Sequence, residues 1–497
     1  MIRKLFAIAL LAITLTSCSE DVMDRINKDN SNPPADVVDA RYIVSGAILN
    51  TGFSTISGNY AWYISSYTEQ EFGTGNNQLK NVEIRSKNET AASSTFNNEW
   101  NATYTNLRCI EDILDKTKEG GLNAGQSDLR GVALVLKALN FGILTDLHGD
   151  VPMTEALNGN TNLTPKVDKQ EEIYNNLFKL LDEALECFAT GESGNVGDQD
   201  ILFGNGDPAK WAGLAHALKA RYYLHLQHRN GNAALTSAIA EANAAIEAGF
   251  DGAQLSVFNG VTADNPWSAY HWSRDYIGAS KTVADLLSER GDMRLLAYQF
   301  DGNGKQGLGE GELGEPGNKR QAEYTKVLAY PLWLENGASP INFFSKAELY
   351  FILAEAKARL GQDATADFGT AVEAAFEDLD LCCDFGGELA AAAADYIAGL
   401  GTPDLKEIMV QKYLSQIRDE QIEAYNDIRR CKANGEEFIK LTNPKNNSSA
   451  GNAWPLRLPY GESDVRSNPN IRNIFGTGNE AGTYLFTENV WWAGGSY

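Results

Sequence analysis

The chain has 497 residues, longer than one hydrophobic core usually serves, so it divides or extends through repeated units. With 43% hydrophobic and 22% charged residues, its composition is that of a globular protein and not of a disordered one. A formal net charge of −24 would repel a phosphate backbone, which argues against nucleic-acid binding.

In chain order, Arg3 and Lys4 precede an apolar run at 5–15. Eleven residues are too few to span a bilayer and fit the apolar part of a secretory signal. The run leads into Leu15-Thr16-Ser17-Cys18, the pattern of a bacterial lipobox. Residues 1–17 are therefore expected to leave as a signal peptide, and Cys18 to carry the lipid. Each buried acyl methylene contributes about 0.8 kcal/mol, and two chains suffice for stable anchoring. Losing Arg3 and Lys4 takes the mature charge two lower, to −26. Ser19-Glu20-Asp21 resembles an acidic tag for the outer face of the outer membrane. Residues 18–36 are polar, contain Pro33-Pro34, and read as a lipidated tether.

The body, 37–497, reads as helices joined by long loops. Loops rich in Gly, Asn and aromatics are expected at about 52–100, 250–280, 300–345 and 442–497, and binding is expected to reside in them. A buried helix is predicted from about 128 to 147. Leu129, Val132, Leu136, Leu139 and Ile143 form its stripe, and Leu134, Val135, Phe141 and Leu144 fill its other faces. Further helices are predicted at 171–189, 210–228 and 237–248, the last closed by Gly249. Another covers 347–360 and stops at Gly361, and 404–430 reads as one long helical region. The alanine-rich endings EANAAIEAGF and AEAKARLGQD resemble the second helices of tetratricopeptide-like hairpins, without the 34-residue signature.

Few stretches have the composition of a chemical site. In TDLHGDVPMTEAL, at 145–157, His148 stands between Asp146 and Asp150, with Glu155 behind. Gly149 and Pro152 also make this the end of the preceding helix. On that reading Asp146 and Asp150 accept hydrogen bonds from the turn's backbone amides. His225 and His228 have a metal-compatible spacing but no H-E-x-x-H pattern, and are expected to be ordinary helix histidines. DGNGK, at 301–305, opens like a calcium loop but lacks the central glycine and the paired acids. GEGELG, at 309–314, satisfies G-x-G-x-x-G, yet Glu310 and Glu312 would repel a pyrophosphate. No G-x-S-x-G elbow is present, and 66 acidic residues make chance carboxylate pairs unavoidable. After Cys18 come Cys109, Cys187, Cys382, Cys383 and Cys431, an odd number without a C-x-x-C pair. No catalytic residue, metal or cofactor is expected.

Aromatic clusters carry more information. NPWSAYHW holds Trp267, Tyr270 and Trp272, and NYAWYISSY holds Tyr60, Trp62, Tyr63 and Tyr67. Exposed aromatic faces suit sugar rings and peptide side chains. Trp62, Trp267, Tyr270 and Trp272 are the candidate ligand-binding residues.

Several stretches, in this order, resemble the SusD/RagB family of outer-membrane nutrient-binding lipoproteins, and its second, SusD-like subgroup most closely. FNNEWNATYTNL resembles the family's W-x3-Y helix start, with Trp100 and Tyr104. TDLHGDVPMTEAL, FGNGDPAKWAGLAHALKARYYLHL, FFSKAELYFILAEAKARLG, IMVQKYLSQIRDEQIEAYNDIRR and LRLPYGESDVRSNPN resemble its later motifs. His148 and Met153 stand where the family usually has tyrosine, and Gly461 where it has proline. A tyrosine at position 148 in relatives means that imidazole chemistry is not what the position serves.

The resemblance implies a mostly α fold, with tetratricopeptide-like helix pairs and a loop-rich elaboration, as one ligand-binding domain over 37–497. It also implies a non-catalytic surface lipoprotein. Such a protein captures oligosaccharides or peptides and delivers them to a SusC/RagA-like TonB-dependent transporter. An exported glycoside hydrolase or peptidase is the alternative, and a purely structural envelope lipoprotein is a third reading. If Cys18 is the anchor, Cys18→Ala releases the protein from the membrane fraction; retention there, read by fractionation, refutes the assignment.

Overall fold

The computed structural model describes residues 37–73, 78–159, 161–190, 194–274, 276–300, 328–329, 337–383, 385–441 and 453–495. Cys18, DGNGK and GEGELG lie outside them. The main helices are α1 (Arg41–Asn50), α2 (Asn59–Tyr67), α3 (Asn97–Thr117), α4 (Ser127–His148), α5 (Gln170–Ala189), α6 (Pro208–His225) and α7 (Asn232–Glu247). They continue with α8 (Pro266–Arg274), α9 (Lys346–Arg359), α10 (Thr365–Cys383), α11 (Glu388–Leu400), α12 (Leu405–Ser415) and α13 (Gln421–Ala433). Consecutive helices pack in pairs, α4 on α5, α6 on α7 and α9 on α10, which is the tetratricopeptide-like arrangement. Among the described residues, strands occur only as antiparallel twos. These are β1 (Glu71–Gly73) with β3 (Ile277–Ala279), β2 (Ala253–Leu255) with β6 (Ile341–Phe344), and β4 (Gln299–Phe300) with β5 (Leu328–Ala329).

Local chemistry explains where helices begin. Asp207 caps α6 by accepting the Ala209 amide, with Pro208 in the first turn. Ser345 caps α9 through the Glu348 amide, and Asp404 caps α12 through the Glu407 amide. α4 is enclosed on nearly every side, as its sequence indicates. Gly142 lets it approach α6 closely, because a Cβ there would overlap the Tyr222 ring. α9 is buried on two faces. Leu349, Ile352, Leu353 and Ala356 face the main core, while Ala347, Phe351 and Ala354 face a second, smaller one. That second core is built by α10 and α11, through Phe368, Phe376, Leu379 and Leu389.

Several expectations need correction. Residues 52–100 are largely helical and contain α2 and the short helices Gln78–Glu83 and Lys87–Thr90. α8 similarly occupies part of 250–280, and Glu462–Ser467 and Pro469–Phe475 are helical within 442–497. α6 ends at His225, three residues early, and a separate turn Gln227–Asn230 follows. α10 and α11 were not expected at all, although Phe368, Val372, Phe376 and Leu379 have helical spacing. The region 404–430 is two helices, broken at 416–420 where Asp419 has φ 63°. The break is tied from outside. Arg418 pairs with Asp378 at 2.8 Å, Asp419 accepts the Asn342 amide, and Glu420 accepts the Ser345 amide. Tertiary partners override local helix propensity there.

Buried charges link these helices. Arg430, fully buried, meets Glu355 of α9 at 2.6 Å and Asp427 at 2.7 Å. Lys412 reaches Asp427 at 2.8 Å and Glu355 at 3.2 Å, and Arg359 reaches Glu355 at 2.7 Å. Burial alone would raise the Glu355 carboxyl, but Arg430, Lys412 and Arg359 together hold it well below the usual range.

A second chain starts at Arg221, which pairs with Glu348 at 2.5 Å and lies 3.8 Å from Glu423. His225 continues it, with Nε2 2.9 Å from Glu423 and Nδ1 3.4 Å from Asp146. Asp146 also accepts Tyr174 Oη at 2.5 Å and Trp492 Nε1 at 2.9 Å. It therefore does not cap its own turn, as the sequence reading expected. Asp150 does accept an amide, but that of Gln170. Burial would lower the His225 imidazolium, yet Asp146 and Glu423 outweigh it and raise its pKa to about 9.

Arg430→Leu leaves the buried Glu355 to Lys412 and Arg359, and Asp427 to Lys412, and is expected to cost about 3–5 kcal/mol, read as an earlier denaturation midpoint. His225 prefers its proton only when folded. Its stabilisation is full below the ordinary pKa of 6.5 and is lost as pH rises through about 9. The loss in Tm caused by His225→Gln should therefore be largest below pH 6.5 and should shrink above about pH 9. A loss independent of pH would contradict a charged His225.

Candidate functional site

The two aromatic stretches lie on helices and not in loops. In α2, Tyr60, Tyr63, Ile64 and Tyr67 recur at spacings of three and four and form the inner face. Tyr60 packs on Phe96 at 5.8 Å between ring centroids, and Tyr63 on the same ring at 5.5 Å. These tyrosines are core. Trp62 leaves the helix on its other side and is half-buried. On α8, Trp267 and Tyr270 are three residues apart and share a face.

The ladder of β1 with β3 joins the two stretches. Phe72 stands opposite Gly278, which fastens the segment after α2 to the segment after α8. The result is a stack, with Trp62 and Tyr270 centroids 4.0 Å apart and rings 18° from parallel. Trp267 closes the inner edge at 6.4 Å from Trp62, near perpendicular, and Tyr276 meets Tyr270 edge-on at 6.2 Å.

Each predicted residue now has a place. Trp62 and Tyr270 come together and remain partly exposed. Trp267 is 0% exposed and supports the pair from beneath, so it offers no face to a ligand in this conformation. Its Nε1 and that of Trp62 are buried without a hydrogen-bond partner among the described residues. The Trp272 side chain lies outside the described ones. Burial pushes the Tyr270 phenol up, so it stays a neutral hydroxyl. Arg274 and Tyr276 were missed by the sequence reading, although both directly follow NPWSAYHW. The Gly337 carbonyl accepts the Asn265 amide at 2.7 Å just before α8.

His148 has a different role. It is the last residue of α4 and is 0% exposed. Tyr60 Oη lies 2.9 Å from its Nε2, and Trp100 and Tyr460 pack on its ring at 4.9 and 6.1 Å. Burial, aided by Arg457 and Arg429, lowers its pKa to about 3, so it is neutral and enclosed. Gly461, another departure from the family pattern, has φ −64° and ψ 138°, a backbone that proline also adopts. A Cβ there would overlap the Trp100 ring, so glycine brings this segment closer to α3.

Of the metal-spaced histidines, His228 is exposed, with Nδ1 2.9 Å from Asn434 Oδ1. Asp146, His225 and Glu423 offer three ligand atoms within 4.8 Å of one another. Both imidazole nitrogens there face carboxylates, and the ring holds its proton to about pH 9. That is an imidazolium bridging two anions, whereas a metal would engage one nitrogen and expel the proton. Cys109, Cys187, Cys382 and Cys431 are all free thiols.

The family model SusD-like_2, described as starch-binding and associating with outer membrane, matches residues 55–461. A SusD/RagB family protein from Bacteroides thetaiotaomicron superposes with a TM-score of 0.83 at 32% identity, over 93% of this chain and 100% of that one. A SusD homolog from Bacteroides fragilis NCTC 9343 has a TM-score of 0.68 at 21% identity, over 88% and 96% of the two chains. A chitin-binding SusD homolog from Flavobacterium johnsoniae has a TM-score of 0.70 at 18% identity, over 90% and 98%; these two share the fold. No curated protein matches this chain. With most of its length matched and its helix pairs superposed on a solved relative, the protein belongs to the SusD-like family of SusD/RagB proteins.

Proposed function

We propose that the protein is a glycan-binding lipoprotein of the outer membrane. It holds an oligosaccharide against the Trp62–Tyr270 stack and passes it to a SusC/RagA-like TonB-dependent transporter. The observation that carries the binding step is the stack itself, a partly exposed aromatic pair held by a ladder and backed by Trp267. Aromatic faces take the C–H faces of pyranoses, and Ser273 and Arg274, both exposed at the end of α8, supply a polar rim. Two further observations support the reading. The family is described as starch-binding, and a solved chain of this fold is described as chitin-binding. The lipobox at Cys18 supports the anchor. Binding proceeds without catalysis. Among the described residues, the titratable groups that act on Tyr270 are Tyr63, Tyr276 and Arg274, none of them suited to cleaving a glycosidic bond at neutral pH.

Calorimetry with starch and chitin oligosaccharides tests this. Trp62→Ala should weaken the bound sugar roughly tenfold, about 1.4 kcal/mol, while leaving the melting curve near wild type. Trp267→Ala should instead lower stability by about 3–5 kcal/mol, since it empties a buried volume. Unchanged affinity in both Trp62→Ala and Tyr270→Ala would move the site elsewhere. Turnover that disappears on mutating one carboxylate would replace the binding reading with an exported hydrolase. Failure to co-purify a TonB-dependent barrel from native membranes would remove the delivery step.

A further inference from the structure

The outer face of α1 is unlike the rest of the surface. Val44, Ala47 and Ile48 turn inward, on the side that packs on α3 and α4. Tyr42, Leu49 and Phe53 turn outward and are 59%, 38% and 44% exposed. Phe53 sits in the wide helical turn Thr51–Ile56 that continues α1. Gly46, also exposed, has open space where a Cβ would stand. The turn after α3 adds to this face. Asn123 accepts the Ala40 amide at 2.9 Å, and Lys116 donates to the Val38 carbonyl at 2.9 Å, which fastens that turn to the residues before α1. Leu122, in the turn, is 55% exposed, and Val37 59%. Among the described residues eleven large apolar side chains are exposed, and five of them belong to this end of the molecule. Single exposed leucines need no explanation, but a gathering of them marks a surface that something apolar covers.

Its place in the chain says what covers it. Val37 directly follows the tether read at 18–36, which the lipobox would fix to the bilayer at Cys18. Nineteen residues of flexible chain span about 22–26 Å root-mean-square. The helical stretch 41–56 is about 24 Å long. The lipid therefore keeps this end of the body within about one helix length of the bilayer. A contact too weak to hold from free solution becomes intramolecular there.

The chemistry of the face fits a lipid interface. Arg41 lies over the Tyr42 ring at 4.8 Å and donates to its hydroxyl at 3.0 Å, so two apolar stems carry their polar ends outward together. The rim selects the kind of lipid. Arg41 lies 3.8 Å from Asp39, and Lys118 2.8 Å from Asp115. Glu119 and Asp198 are exposed as well, Asp198 next to Gln199, whose carbonyl accepts Ser45 Oγ at 2.7 Å. Each exposed cation of this rim thus already has a carboxylate beside it, and attraction to an anionic surface is weak. Apolar insertion among neutral headgroups is what remains.

We infer that the outer face of α1, with Val37 and Leu122, is a membrane-docking surface that inserts among zwitterionic headgroups beside the protein's own lipid. This docking rests on the anchor proposed above. A tether alone leaves the body free to turn, whereas a second contact fixes its orientation. It also fixes the height of Trp62 above the bilayer, because α2 begins directly after the wide turn.

Photolabelling tests it. The full-length lipoprotein is placed in phosphatidylcholine vesicles that contain a diazirine-bearing phosphatidylcholine and no transporter. Intact mass reports the acyl chains on Cys18, and so the anchor, independently of where the label falls. Peptides covering 37–56 and 118–126 should take label at least about fivefold above the peptide of Leu381, an exposed leucine of α10. Leu49→Ser with Phe53→Ser should lower that labelling at least about fivefold. Val37→Ser with Leu122→Ser, at more exposed positions, should do the same, with circular dichroism and Tm unchanged. Raising salt from about 0.1 to 1 M, which shortens the screening length from about 10 to 3 Å, should leave the labelling as it is. An acylated protein whose face is labelled no more than Leu381 overturns the docking and leaves the anchor standing. Labelling that requires phosphatidylglycerol, or that high salt abolishes, also overturns it. A protein dimer that Phe53→Ser dissolves would give the face to a second copy instead. A Cys18 without acyl chains would remove the anchor and the docking with it.

Discussion

The fold turns on one carboxylate that three cations share. Glu355, on α9, is 0% exposed and is met by Arg359 of its own helix, Lys412 of α12 and Arg430 of α13. Three helices from two distant parts of the chain are thereby fixed in rotation and register. Apolar faces alone leave a helix pair free to slide by part of a turn, because hydrophobic contact is non-directional. A buried ion pair has one good geometry, and breaking it leaves a charge stranded in low dielectric. The chain Arg221–Glu348, Glu423, His225 and Asp146 extends the same constraint from α6 and α9 to the end of α4 and to Trp492.

The aromatic stack depends on that frame without belonging to it. α2 packs its tyrosine face against α13, with Tyr67 near Tyr425 at 6.1 Å. β1 follows α2 and pairs with β3, which follows α8, so the position of α13 sets the position of Trp62, and the ladder sets Tyr270 beside it. The proposed binding surface, one residue from each of two short helices, keeps its geometry because both helices are anchored elsewhere.

The stretch that looked most like an active site, Asp146-Leu147-His148-Gly149-Asp150, is a junction. Asp146 joins the buried charge chain, His148 is a neutral ring among aromatics, and Asp150 holds the start of α5. Histidine between aspartates is therefore a poor marker of chemistry when the segment ends a fully buried helix. Burial acts on the two histidines alike, and their neighbours decide the outcome. His148 faces aromatic rings and arginines and loses its proton, while His225 faces two carboxylates and keeps it.

The sequence by itself determined the class of fold and most long helices, since a 3.6-residue apolar period, caps such as Asp207 and Ser345, and stops such as Gly249 are local signals. It also determined the family, because ordered motifs survive when loops do not. It did not determine the break at 416–420, whose polar residues find their partners on α10, β6 and α9. Nor did it separate Trp62 from Trp267. Both are tryptophans in aromatic runs, and only the pairing of β1 with β3 makes one a half-exposed face and the other its buried support. Side-chain identity is written locally, but burial and juxtaposition are properties of contacts between distant segments, and only the tertiary structure decides them.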